Sequence, residues 1–184
     1  VSRELIPETK SIVMRTKDLH ESALFSELGF RRDFIDFAEY YWGKPIILFG
    51  TGGGRILPQK VDKDYDSYQW HHDAGRKLLR VMILLSDVPD DGQRMDYLLG
   101  SHKIFRYKLD NSRRKKEEVE GKGTVMKCSG KAGSIVIFDT NGIHRGNRNL
   151  GPERDTWRYS YKADGALSIE HSEPLKFSPE VIPK

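Results

Sequence analysis

The chain has 184 residues, of which 37% are hydrophobic, 32% charged and 10% aromatic. This length is enough for one domain with one core, and the composition excludes a disordered tail. No apolar run approaches the ~18 residues that a membrane-spanning helix needs. The single cysteine, Cys128, excludes an intrachain disulfide framework and a cysteine-built zinc site. It suits a reducing compartment, and we expect a cytoplasmic protein.

The charge balance is mild, at +4 with a sequence pI near 9.1. The strongest basic cluster spans 113–116, and Glu117, Glu118 and Glu120 follow it at once. A nucleic-acid surface keeps one sign of charge because its phosphate contacts accumulate. Because the glutamates cancel the neighbouring basic charges, the pattern favours a solvated, charged insertion at about 108–122 and predicts no nucleic-acid partner.

Two helices are predicted near the amino end. Residues 17–28 carry apolar positions at helical spacing and Gly29 supplies a stop, while the amphipathic stretch 33–42 ends at a Gly-Lys-Pro sequence. The period then changes at the compact apolar run 46–49. The glycines at 52–54 lack the Lys-Ser/Thr of a phosphate-binding loop, and we interpret them as a flexible hairpin turn.

Short apolar runs recur from residue 68 onward, separated by Gly, Pro, Asp and Asn turn signals, which predicts a β-sandwich or β-barrel. The sequence shows no internal repeat and no second composition regime. It therefore predicts one mainly β (α+β) domain over 1–184 with helices at its amino end. The chain opens at Val1 without a methionine, which is compatible with truncation there. The predicted strands are 68–73, 78–85, 95–99, 124–128, 134–138 and 157–161.

The most informative stretch is 69–73, Gln-Trp-His-His-Asp. In a strand, side chains two residues apart share a face, so His71 and Asp73 point together while His72 points away. An imidazole and a carboxylate on one face are two of the three ligands of a 2-His-1-carboxylate iron site. Gln69 lies on the same face and is a candidate for lining the pocket and contacting a cofactor.

A third ligand is available from a distant stretch of the chain. The run 133–139 has the pattern of a buried strand, and the turn after it delivers His144. The sequence separation from Asp73 is long enough for the chain to leave and return across a barrel. These three side chains together match the ligand types of a facial triad with open positions.

An arginine follows in the alternating run 157–161, where Arg158 and Ser160 share a face. A guanidinium beside a hydroxyl suits a terminal carboxylate, which the guanidinium holds with two parallel hydrogen bonds. Arg145 and Arg154 are alternatives for this anchoring role, and a surface ion pair is the alternative interpretation of Arg158 itself.

The order and spacing of these motifs resemble the phytanoyl-CoA dioxygenase family of Fe(II)- and 2-oxoglutarate-dependent oxygenases. The resemblance covers roughly residues 33 to 163. It implies a double-stranded β-helix, the jelly roll of cupin-like proteins. The motifs that carry it are 69–73, the strand 78–85 with the Ser-Asp-Val that follows, 100–103 (Gly-Ser-His-Lys), 133–139 leading to His144, and Arg158.

The resemblance also implies roles for individual residues. His71, Asp73 and His144 would bind iron and form the catalytic centre. Arg158 would hold the C5 carboxylate of 2-oxoglutarate, assisted by Ser160. The implied enzyme is a dioxygenase that uses Fe(II), 2-oxoglutarate and O2, hydroxylates a small organic substrate and releases succinate and CO2. Related halogenases carry a small residue where Asp73 stands, so the carboxylate favours hydroxylation.

Three other functions stay open from the sequence. One is a jelly-roll binding module that keeps the metal scaffold without turnover. Another is a nucleic-acid demethylase of the same iron class, which the basic balance suggests and the glutamates at 117–120 disfavour. The third, a cupin-type isomerase or dioxygenase with other ligands, needs more clustered histidines than the sequence has. We expect a small-molecule substrate.

Overall fold

Two antiparallel β-sheets form the scaffold, and two helices pack on one of them. A computed structural model describes the backbone of residues 3–6 and 11–14 and, in full, residues 23–58, 68–73, 78–103, 113–147 and 151–163. In chain order the strands are β1 (Arg3–Ile6), β2 (Ser11–Met14), β3 (Ile46–Ile56), β4 (Leu78–Leu84), β5 (Met95–Leu98), β6 (Val125–Cys128), β7 (Ile135–Asp139), β8 (His144–Gly146) and β9 (Arg154–Ala163). The helices are α1 (Ala23–Gly29) and α2 (Arg32–Trp42), with single 3₁₀ turns at Ser101–Lys103 and Lys116–Glu118.

The strand order is that of a jelly roll. Within the described ranges, the larger sheet runs β1-β2-β3-β9-β4-β7 and the smaller one β6-β5-β8. All the strand pairings are antiparallel, and the chain crosses repeatedly from one sheet to the other, as the double-stranded β-helix requires. The predicted mainly β class and jelly-roll architecture are therefore confirmed.

Most predicted strands match the observed ones to within a few residues, but 68–73 does not form a regular strand. This segment is instead held by two isolated bridges, Trp70 to Arg114 and His71 to His144. The local backbone is therefore fixed by partners that are distant in sequence rather than by a continuous ladder.

The strand β9 divides the interior into two layers because its alternate residues face opposite sides of the larger sheet. On one side its aromatic residues pack with both helices. On the other side its polar residues face the smaller sheet. The outer cluster contains Phe34, Ala38, Leu48, Leu79, Val81, Trp157, Tyr159 and Tyr161, and the cluster between the sheets contains Met82, Leu84, Val88, Met95, Tyr97, Cys128 and Phe138.

Helix α1 is held in place by two tyrosines of β9, which bond to carbonyls in its first turn and at its last residue. The Tyr159 hydroxyl donates to the carbonyl of Phe25 at 2.6 Å, and the Tyr161 hydroxyl donates to that of Gly29 at 2.8 Å. A Cβ at Gly29 would lie 2.9 Å from the Tyr159 ring, so a glycine permits this approach. The predicted stop at Gly29 is confirmed, while residues 17–22 lie outside the described residues.

Helix α2 matches its prediction closely. It ends at Gly43, whose φ of +66° gives the left-handed cap that favours glycine, and the Gly43 N–H donates to the Glu39 carbonyl at 2.7 Å. Phe34 and Ala38 are its buried residues. In the part of the chain that the structure describes, neither helix has the length and apolar character needed to cross a membrane.

The predicted hairpin turn at 52–54 is wrong, because these glycines lie inside β3. Gly53 pairs with Trp157, and a Cβ there would lie only 2.3 Å from the Trp157 ring. The glycine is therefore needed for close packing by an indole on the next strand, which a local turn signal does not reveal.

In the described part of the charged segment, 113–122, residues 115–118, 121 and 122 are exposed, while its other residues contact the rest of the domain. Arg113 and Arg114 are half-buried, and the Arg114 N–H donates to the Trp70 carbonyl at 2.8 Å. Val119 is buried in a cluster with Trp70. This segment therefore packs against the stretch that carries the predicted metal ligands.

We predict that Gly53→Ala lowers the free energy of unfolding by about 1–3 kcal/mol, because the added methyl overlaps the Trp157 ring. Gly52→Ala is the matched control, since its Cβ meets no described atom within 4 Å. Urea unfolding of both variants measures the difference. Equal stabilities would contradict the packing role assigned to Gly53.

Candidate metal centre

The three predicted metal ligands come together where two distant backbone segments pair. The His71 N–H donates to the His144 carbonyl at 2.9 Å, and the His144 N–H donates to the His71 carbonyl at 2.8 Å. The Asp73 N–H donates to the Thr140 carbonyl at 2.9 Å, which fixes the adjoining residues against the end of β7. The structure therefore brings His71, Asp73 and His144 into one cluster.

The ligand atoms have a spacing that suits one ion. Asp73 Oδ1 lies 3.9 Å from His71 Nε2 and 3.8 Å from His144 Nε2, and all three atoms lie within 4.8 Å of one another. Two atoms bound to the same ion at about 2.1 Å are at most ~4.2 Å apart. Both carboxylate–imidazole distances satisfy that limit, so small adjustments suffice to close the cluster around a metal.

Both histidines have the tautomer that metal binding needs. His71 Nδ1 lies 2.7 Å from the Gln69 carbonyl, and His144 Nδ1 lies 2.8 Å from the Gly142 carbonyl. A carbonyl oxygen only accepts hydrogen bonds, so each Nδ1 carries the proton and each Nε2 presents its lone pair to Asp73. These backbone partners orient the rings as they do in many metalloproteins.

The electrostatics keep the two ligand types in their binding forms. Burial lowers the pKa of His144 to about 4, although the Asp73 carboxylate opposes this change. Burial alone would raise the pKa of Asp73, but nearby cationic groups, with Arg80 first among them, hold it below the ordinary value. At neutral pH the centre therefore contains a neutral His144 and an ionised Asp73.

Arg80 is a functional residue that the sequence argument missed. Its Nη2 lies 3.1 Å from Asp73 Oδ2, and its Nε donates to the Ser160 hydroxyl at 3.3 Å. The guanidinium thereby holds one carboxylate oxygen while Oδ1 faces the two histidines. A single arginine in the otherwise apolar run Leu78–Leu84 is the sequence signal that could have indicated it.

The other predicted site residues occupy different positions around this centre. Arg158 and Ser160 share the inner face of β9, as predicted, but the Ser160 hydroxyl is engaged by Arg80. Gln69 contributes its carbonyl to His71. Arg145 is paired with Asp96 and Glu120, each at 3.3 Å, so it is already committed to other partners.

Two further histidines do not belong to the cluster. His72 is fully buried, and its Nδ1 lies 3.1 Å from the Asp73 carbonyl. His102 lies in the 3₁₀ turn Ser101–Lys103, where its carbonyl accepts from the Asn141 side chain at 3.0 Å. Both therefore have local positions that differ from those of His71 and His144.

We predict that Arg80→Lys weakens metal binding by roughly 10-fold, because lysine keeps the charge but loses the rigid guanidinium that contacts Asp73 and Ser160 at once and so orients the carboxylate. Arg55→Lys is the control, since Arg55 also contacts an aspartate, Asp155, with two bonds at 2.8 and 2.7 Å, but on the exposed surface and away from the metal ligands. Calorimetric titration with Ni²⁺ measures both. Equal metal affinity in Arg80→Lys and the unsubstituted protein would remove the orienting role of Arg80.

Several solved structures share this fold at low sequence identity. The chain aligns with the non-heme alpha ketoglutarate dependent carbocyclase SnoK from nogalamycin biosynthesis at a TM-score of 0.66 and 18% identity, covering 96% of this chain and 79% of SnoK. The epimerase SnoN from the same biosynthesis aligns at a TM-score of 0.64 and 17% identity, covering 96% of this chain and 79% of SnoN. HygX from Streptomyces hygroscopicus, with nickel, 2-oxoglutarate and hygromycin B bound, aligns at a TM-score of 0.65 and 14% identity, covering 90% of this chain and 74% of HygX.

A comparison with curated proteins finds no match. The family model described as phytanoyl-CoA dioxygenase (PhyH) matches residues 5–156. This range contains the described strands β2 to β8 and all three residues of the cluster. Because the match spans most of the 184 residues, the chain belongs to the phytanoyl-CoA dioxygenase (PhyH) family.

Proposed function

We propose that this protein is a non-haem Fe(II)- and 2-oxoglutarate-dependent dioxygenase that acts on a small molecule. The observation that carries the proposal is the cluster of His71, Asp73 and His144, with both Nε2 atoms and one carboxylate oxygen turned toward a common point. Two imidazoles and one carboxylate are the ligand set of non-haem Fe(II) oxygenases and leave positions open for other ligands. The residues present therefore fit the metal that the family implies.

Hydroxylation is the outcome that we propose for the substrate. The proteins of similar fold include an enzyme named as an epimerase and one named as a carbocyclase, so the same fold is used for more than one reaction. Asp73 supports hydroxylation over halogenation, because its carboxylate occupies the ligand position that a halide would need. A small molecule is also bound in this fold, since HygX holds hygromycin B.

The residues of this chain would divide the work as follows. Bound Fe(II), together with 2-oxoglutarate and O2, supplies the oxidation, with succinate and CO2 as by-products. His71, Asp73 and His144 hold the metal, and Arg80 fixes the carboxylate by its second oxygen. The apolar cluster between the sheets keeps bulk water away from the reacting atoms.

For the distal carboxylate of 2-oxoglutarate we propose Arg154, at the beginning of β9. The residue is 9% exposed, and its Nε and Nη1 have no hydrogen-bond partner among the residues that the structure describes. Burial lowers the pKa of this guanidinium, which is the response of a buried charge that lacks an anion. A buried cation without its partner is costly, so an anionic ligand at this position is strongly favoured.

Arg158, predicted from the sequence for the same role, has different surroundings. It is exposed, and its charge is among those that lower the pKa of Asp73, whereas the charge of Arg154 is not. Four residues of one strand separate the two arginines, about 13 Å of chain. This contrast supports Arg154 as the distal anchor and leaves Arg158 close to the metal centre.

Anaerobic addition of Fe(II) and 2-oxoglutarate is expected to produce a visible metal-to-ligand charge-transfer band. His71→Ala and Asp73→Ala should abolish it, because each removes one of three ligands. His102→Ala, a histidine outside the cluster, is the control and should keep the band. An unchanged band in both ligand variants would reject the proposed triad, and succinate formation with a suitable substrate would separate an enzyme from a binding module.

We predict that Arg154→Met weakens 2-oxoglutarate binding on the order of 10- to 100-fold, since a charge-assisted bidentate contact is lost. Methionine retains much of the buried volume, and metal affinity should be retained. Arg158→Met is the matched comparison on the same face of β9. If Arg158→Met alone loses 2-oxoglutarate affinity, the sequence-based assignment of Arg158 as the anchor is correct instead.

A further inference from the structure

Arg158 is a cation near the metal centre, and no ion pair joins it to an acid among the residues that the structure describes. Its position on β9 is opposite Met82 of β4 and Gly52 of β3. Among the residues that the structure describes, its side chain makes no hydrogen bond or ion pair, and the residue is exposed. The guanidinium is therefore available to a ligand.

The neighbouring strand leaves open space on the same face. Gly52 is directly opposite Arg158, and Gly50 is directly opposite Ser160. Residues directly opposite each other in antiparallel strands share a face of the sheet. A Cβ added at either glycine would meet no described atom within 4 Å. The inner surface of β3 thus provides room beside Arg158 where side chains would otherwise stand.

The nearest carboxylate is already shared. Asp73 binds Arg80 through Oδ2 and faces the histidines through Oδ1. Repulsion from the Arg80 charge is the largest cause that lowers the pKa of Arg158, to about 10, and the attraction of Asp73 offsets it only in part. The two guanidinium groups therefore lie within electrostatic reach of each other with one carboxylate between them.

Other arginines between the sheets are matched by acids. Arg94 lies 2.8 Å from Asp96, and Arg145 contacts Asp96 and Glu120 at 3.3 Å. The two added charges of Fe(II) and the two negative charges of 2-oxoglutarate cancel, so cofactor binding leaves the local excess unchanged. Asp73 and Arg80 also cancel, so the charges of Arg154 and Arg158 both remain in excess. With Arg154 assigned to contact the distal carboxylate of 2-oxoglutarate, Arg158 is the cation beside the metal that is left for another anion.

We propose that the substrate carries an oxyanion group, a carboxylate, phosphate or sulfate, which binds Arg158 in the space beside Gly50 and Gly52. This inference rests on the proposed function and specifies its substrate class. A guanidinium fork binds two oxygens of such a group in a fixed orientation. Held in this way at the edge of the metal centre, the substrate presents its neighbouring carbon atoms to the metal.

Anaerobic protein loaded with Fe(II) and 2-oxoglutarate tests the inference. The probes are butanoate, methyl sulfate and inorganic phosphate, with butanamide as the neutral match of butanoate. Binding is measured by the change in the visible absorption band and by the shift in Tm. Arg158→Met removes the proposed contact, Arg158→Lys retains the charge, and Arg55→Met removes an arginine from the exposed surface.

At least one oxyanion is expected to bind more tightly than butanamide, with affinity reduced roughly 10-fold or more in Arg158→Met. Arg158→Lys should lose less, Arg55→Met should lose nothing, and 2-oxoglutarate affinity should persist in all three. The inference is overturned if no oxyanion binds, if butanamide binds equally well, or if Arg158→Met binds the anions normally. Loss of 2-oxoglutarate affinity in Arg158→Met also overturns it while the proposed function stands. Absence of the charge-transfer band in the unsubstituted protein rejects the proposed function itself.

Discussion

The site depends on one small piece of backbone pairing, the two hydrogen bonds that His71 and His144 exchange at 2.9 and 2.8 Å. No continuous strand aligns these segments, because 68–73 is not regular and the bridge is isolated. Its geometry is secured by neighbours on either side, namely Arg114 against Trp70 and Thr140 against Asp73. The charged segment around Arg114 is therefore a structural support for the metal ligands, although its composition alone predicts a solvated insertion.

Electrostatic organisation around the ligands follows from the same packing. Burial disfavours the charged form of Asp73, and the positive charge of Arg80 stabilises it. Arg80 contacts Oδ2, the carboxylate oxygen that faces away from the histidines. The arginine is in turn positioned by Ser160 and lies 5.9 Å from the centre of the Phe138 ring. One side chain thus links the larger sheet to the metal centre, and it does so through orientation as well as charge.

Features that depend on the local alternation of side chains could be predicted from the sequence. Features that depend on which distant strand packs beside a residue could not. The shared face of Arg158 and Ser160 was correctly predicted from the alternation of side chains along a strand. His71 and Asp73 come together as predicted, but the segment that carries them is not the regular strand on which that prediction was based. The role of Arg80 depends on which strand lies beside β4, and that register is not encoded in the run around it. The glycines at 52–54 were misassigned for the same reason, since they lie in β3 opposite β9, where the Trp157 ring leaves no room for a Cβ at Gly53.

The two faces of strand β9 have different roles. One face packs in the apolar core, and the other carries the arginines near the metal centre. Its outer residues, Trp157, Tyr159 and Tyr161, are almost fully buried and tie the strand to the helices and to β3. The alternation of a strand then obliges Arg154 and Arg158 to face the opposite side, between the sheets. A buried arginine is tolerated there because the aromatic face stabilises the strand independently of what the arginines bind. The apolar packing on the outer face therefore offsets the destabilisation caused by Arg154, whose Nε and Nη1 have no hydrogen-bond partner among the described residues.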